Sequence, residues 1–145
     1  MTSKELYDHD FYEWTKCNAA LLRAGRLDQV DLEHVAEEIE DMGKSERRDL
    51  SNRLRVLLTH LLKWSVQSGR RSSSWESTIH VQRAETLKLL KQMPSLRVAL
   101  AEELPEIYEL AKRKATGETG LAGSYFPEEC PFSLQQILDD DFLPG

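Results

Sequence analysis

The 145-residue chain is 40% hydrophobic and 30% charged, with seven Gly and five Pro. This is the composition of a helical globular protein, long enough to build one core without disulfide or metal support. Its net charge of -6 argues against a general nucleic-acid binder, which carries a basic excess. Cys17 and Cys130 lie too far apart for a zinc knuckle or a C-x-x-C redox motif. No apolar run approaches the roughly 20 residues of a bilayer crossing, and the acidic start MTSKELYDHD lacks the basic and apolar segments of a secretory signal. These features predict a reduced cytoplasmic protein.

Residues 6–24 predict a first helix, with Tyr7, Phe11, Trp14, Asn18, Leu21 and Leu22 recurring at steps of three and four and Gly25 as its C-cap. The short link 26–30 folds that helix back onto the next. From Asp31 to Gln67 no Pro intervenes, which predicts one helix of roughly 55 Å. Its charge order is acidic (Asp31, Glu33, Glu37, Glu38, Glu40, Asp41), then basic (Lys44, Arg47, Arg48, Arg53, Arg55), before the apolar LLTHLLKWSV. That order suits the helix dipole. Ser68-Gly69 stops the helix, and RRSSS follows as an exposed connector.

Ser73 and Glu76 form a predicted capping box opening a third helix over about 74–92, with Ile79, Gln82 or Arg83, Thr86, Leu87 and Leu90 on one side. Met93-Pro94 ends it. Ser95 caps a fourth helix from Leu96 to about Thr116, and Pro105 predicts a kink or a split within it. Gly117, Gly120 and Gly123 break the pattern before a second capping box, Ser133-x-x-Gln136. Phe126, Phe132, Leu134, Ile137 and Phe142 make the tail apolar enough to wrap the rest. The expected fold is all-α and a single domain over residues 1–145. It is a helical bundle of four main helices around one long central helix (about 31–67), with an irregular C-terminal tail carrying a short helix.

At 100° per residue, Ile39, Met42, Leu50, Leu57, Leu61 and Trp64 form one stripe of the long helix, and Glu46, Arg53 and His60 fall inside it. Buried polar groups of this kind need partners, for which Asn18, Gln82 and Arg83 are the expected mates. The commoner role of such a row is a polar layer that fixes helix register. The alternative is a site in which Glu46 and His60 act as acid, base or ligand. His34, Glu38 and Asp41 share another face and carry metal-ligand chemistry, although an acidic solvated face is the commoner explanation and the Glu-x-x-His signature of di-iron bundles is missing. Arg47, Arg48, Arg55, Arg70 and Arg71 offer contacts to phosphate or to an acidic surface, without interleaved aromatics or a recognition helix. No G-x-S-x-G and no Gly-rich phosphate loop is present.

The blocks YDHDFYEW, LLRAGRL, LEHVAEEIEDMGKSERR, LLTHLLKW, SSSWESTIHVQR, PSLR, ETGL and FPEECPFSLQQIL with its closing DF-x-P resemble, in order and over nearly the whole chain, the bacterial helical family named domain of unknown function 29. The resemblance implies an all-helical, bundle-like single domain. It implies no catalytic residue, cofactor or substrate.

The functional expectation is therefore a non-enzymatic interaction or regulatory module, antitoxin-like in action, that binds a protein partner through Arg47, Arg48, Arg53 and Arg83. No cofactor, membrane or nucleic acid is expected, and a homodimer remains open. The alternative is a metal-binding or hydrolytic enzyme using Glu46 and His60, or His34, Glu38 and Asp41.

Overall fold

The computed structural model describes all 145 residues and contains six α-helices and no strand. These are α1 (Leu6–His9), α2 (Phe11–Arg23), α3 (Leu32–Val66), α4 (Ser73–Gln92), α5 (Leu96–Thr119) and α6 (Leu134–Leu138). The protein is all-α. Its residues gather into two compact units, Met1–Glu46 and Arg47–Gly145, and the 35-residue α3 contributes to both.

In the first unit, the helix expected over 6–24 is two helices. Asp10 leaves the helical region (φ -155°, ψ 88°) and its side chain accepts the Glu13 amide at 3.1 Å, so it ends α1 and caps α2. A short carboxylate that bonds the backbone locally competes with helix continuation in this way. Gly25 does close α2, at φ 72°. The amides of Gly25 and Arg26 donate to the carbonyls of Leu22 and Leu21, the paired bonds of a Schellman closure.

The core of the second unit is built on the C-terminal half of α3. Leu50, Leu54, Leu57, Leu58, Leu61 and Leu62 are at most 1% exposed. They cluster with Ile79 and Leu90 of α4, with Leu100, Ile107 and Tyr108 of α5, and with Phe126, Phe132 and Ile137 of the tail. Each fully buried leucine stabilises by about 2 kcal/mol relative to an exposed one.

Local caps depart from expectation in two places. Ser72, not Ser73, caps α4 by accepting the Trp75 amide at 3.2 Å, which moves Glu76 out of the reciprocal position. Ser95 precedes α5 without a side-chain cap bond, and α5 runs unbroken through Pro105 and Gly117 to Gly120 at φ 72°. A helix-interior glycine costs about 1 kcal/mol, and at Gly117 an added Cβ would meet no atom within 4 Å. The Ser133–Gln136 capping box forms as expected and opens α6.

Three polar anchors seat the tail. Arg83, 2% exposed, donates from Nε to the Ile137 carbonyl at 2.7 Å and from Nη2 to that of Gln136 at 3.4 Å, satisfying the last turn of α6. The Tyr108 hydroxyl donates to the Pro127 carbonyl, and burial pushes that phenol up to about 12. Arg71 donates to the Trp64 carbonyl at 2.9 Å and to that of Gly145 at 2.7 Å, its guanidinium 5.0 Å from the Trp64 ring centre. Replacing Arg83 by Ala strips the buried Ile137 carbonyl and the part-buried Gln136 carbonyl of a charged donor, and should lower the unfolding free energy by about 3 kcal/mol. Urea denaturation measures this, and an unchanged midpoint would show that α6 is held by other means.

Candidate functional site

In the first unit, polar side chains converge on Asp31, buried one residue ahead of α3. Its Oδ2 accepts the Trp14 indole Nε1 at 3.0 Å and lies 2.6 Å from His34 Nδ1. Its amide donates to Asn18 Oδ1 at 2.8 Å, while Asn18 Nδ2 donates to the Trp14 carbonyl at 3.0 Å. The Tyr7 ring stacks on His34 with centroids 3.8 Å apart, and its hydroxyl donates to Glu38. Burial pushes the Asp31 carboxyl up, but hydrogen bonds from His34 and Trp14 outweigh it and hold the group below 3.8. The bond to Asp31 lifts the His34 imidazole above 6.5 against its own desolvation, and the bond to Glu38 pushes the Tyr7 phenol up to about 12. A carboxylate here orients an imidazole, but His34 Nε2 holds no partner within the chain, so no nucleophile is coupled to it.

The network does not gather the metal candidates into one cluster. His34 meets Asp31 through Nδ1 and Glu38 meets Tyr7, while Asp41 is exposed. Nowhere do three His, Cys, Asp or Glu side chains gather closely enough to hold a metal ion. The polar row is corrected. Glu46 is exposed, Arg53 lies half-buried 3.4 Å from Asp49, and His60 places Nδ1 2.9 Å from the Val56 carbonyl. Glu46 and His60 stand about four turns apart on α3 and share no site. The expected mates are used elsewhere: Asn18 by Asp31, Arg83 by α6, while Gln82 Oε1 is buried without a partner. Among the binding candidates, Arg83 is sealed in the core and Arg47 is paired to Glu103, which Ser51 also holds. Arg48 alone is exposed and free.

Two surface features emerge instead. On α3 in the first unit every residue from Ile39 to Glu46 is exposed, with Ile39 at 62% and Met42 at 68%; Leu32, one heptad before Ile39, is 56% exposed. In the second unit, α3 and α5 flank an open groove of about 560 Å³. Arg55 and His60 stand on one wall, Arg113, Lys114, Gly117 and Glu118 on the other, and Val56 and Leu110 supply apolar surface. The α5 cations went unnoticed in the sequence because helical pairs such as Lys114 and Glu118, 3.8 Å apart, are ordinary on solvated faces.

Residues 6–143 match the model of the family described as domain of unknown function DUF29. No curated protein and no solved structure matches the chain. No helix is long and apolar enough to cross a membrane.

The Asp31–His34 pair makes stability pH-dependent with a defined sign. His34, lifted above 6.5, contributes fully below that value and loses its contribution as pH rises through its folded value. Asp31, held below 3.8, contributes above that value and loses its contribution as pH falls through its folded value. The pair is strongest between about pH 4 and 6.5. NMR titration should place His34 above 6.5 and return it to that value or lower in Asp31→Asn; the same midpoint in both proteins would rule out the coupling.

Proposed function

Because the chain belongs to the DUF29 family, whose description names no activity, we propose from its own geometry that it is a non-enzymatic protein-interaction module of the cytoplasm. It regulates by occupying a partner, as antitoxin-like proteins do. One observation carries this reading: the uncovered apolar stripe Leu32, Ile39 and Met42 on α3. Their spacing of seven and three residues is that of a seam which accepts a second helix.

The charges beside the stripe select its occupant. By the 100° step, Glu40 runs along one edge beside Glu33, which Lys4 pairs at 3.3 Å, Glu38, bonded to Tyr7, lies along the other, and Glu46 continues the line of the stripe itself. A second copy laid on this face sets carboxylates near carboxylates, which disfavours self-pairing. The occupant is an amphipathic helix of another protein, with apolar anchors and Lys or Arg beside them.

Introducing a photo-crosslinking residue at Met42 of the full chain, followed by mass spectrometry of the joined peptide, tests the reading. The expected product is a basic amphipathic segment of another protein, lost when Leu32→Lys and Ile39→Lys are combined. Because both positions are exposed, that variant should keep its stability within about 0.5 kcal/mol. Crosslinks to a second copy only, or retention of the partner by the Lys variant, would refute it.

A further inference from the structure

We propose that the groove of the second unit, between the C-terminal half of α3 and the last turns of α5, binds the phosphate of a small soluble phosphorylated molecule. The proposal is independent of the partner-binding face. Its support is unmatched charge. Arg47, Arg53 and Lys63 on α3 each meet a carboxylate. The guanidinium groups of Arg55 and Arg113, which line the groove, meet none and donate to no group of the chain.

Glu118 does not neutralise them. It is the one carboxylate of the lining, and it is engaged by Lys63 at 2.9 Å and Lys114 at 3.8 Å. An unmatched positive groove in a chain of net charge -6 concentrates anions locally, and two arginine forks suit phosphate oxygens better than point charges do.

Gly117 shapes the groove. It lines the groove from within α5, and a Cβ there would meet no atom within 4 Å, so the missing side chain leaves that wall low. The volume, about 560 Å³, is that of a small-molecule site. No Phe, Tyr or Trp lines it, which favours a small ligand over a strand held by stacked bases. Val56 and Leu110 suit the carbon skeleton of a phosphorylated sugar or a similar metabolite.

The test uses the isotopically labelled full chain titrated with pyrophosphate at constant ionic strength, read by amide chemical shifts. Saturable shifts confined to residues 55–60 and 110–118 are expected. Combining Arg55→Gln with Arg113→Gln should weaken binding at least tenfold without changing the melting temperature. Gly117→Ala should raise the melting temperature, since alanine is the better helix former and finds open space. Shifts that never saturate, shifts that sodium chloride reproduces, or an affinity unchanged in the double variant would overturn the proposal.

Discussion

Between Leu50 and Leu62, α3 carries leucine on an arc of about 140° at 100° per residue, with 50, 54, 57 and 61 along one side and 58 and 62 widening it on the other. One antiparallel helix covers a narrower stripe than this. The arc therefore demands several covering elements, and α4, α5 and the tail each bring apolar residues to it. This explains why the tail is ordered without regular structure over most of its length: Phe126, Phe132 and Ile137 close the part of the arc that helices leave open. The polar anchors at Arg83 and Tyr108 then fix the tail's register where apolar contact alone, being non-directional, would leave it loose.

The first unit is held by a different balance. Within residues 1–46 the buried apolar side chains are Trp14 and Val30, and the buried polar ones are Asn18 and Asp31. So small an apolar set gives little hydrophobic stabilisation. Directional bonds carry correspondingly more: Trp14 contributes its ring to packing and its N–H to Asp31, and Asn18 ties α2 to the backbone at the start of α3. A unit organised around one carboxylate inherits the ionisation of that carboxylate, whereas the lowered carboxyls of the second unit, Glu103 and Glu118, lie outside its leucine core.

Much of the architecture was legible in the sequence because it rests on local rules. The leucine run, the Gly25 closure, the Ser133 box and the Met93-Pro94 stop depend on residue type and spacing alone. The break at Asp10 was hidden because Tyr7, Phe11 and Trp14 keep helical spacing across it. The α4 cap slipped by one residue because Ser72, Ser73 and Ser74 are equivalent as caps. The row of Glu46, Arg53 and His60 failed for a deeper reason. A helical wheel drawn from a few positions assumes one covered face along the whole helix. Coverage stops short of Glu46, and beyond Leu50 the buried arc turns toward Leu58 and Leu62, leaving Arg53 and His60 at its edge. Arg83 was rightly marked as a polar residue on an apolar face, but its partners are backbone carbonyls of α6, which reasoning from charge pairs does not reach.

The uncovered turns of α3 from Ile39 to Glu46 raise a thermodynamic question, since an isolated helix this short is not stable in water. They persist because nucleation is not theirs to supply. On the N-terminal side, the Asp31 network fixes the first turn through His34 and Glu38; on the C-terminal side, Leu50 begins the buried run. Propagation between two anchored ends adds one hydrogen bond per residue fixed and avoids the nucleation penalty. A docking face made this way is ordered before it binds. On the proposed reading, the entropy of forming the helix is already met by folding, so a partner helix needs only to supply apolar contact and matching charge. On that reading the same anchoring favours a straight helix over a loop or a strand as the occupant, because the face is already helical.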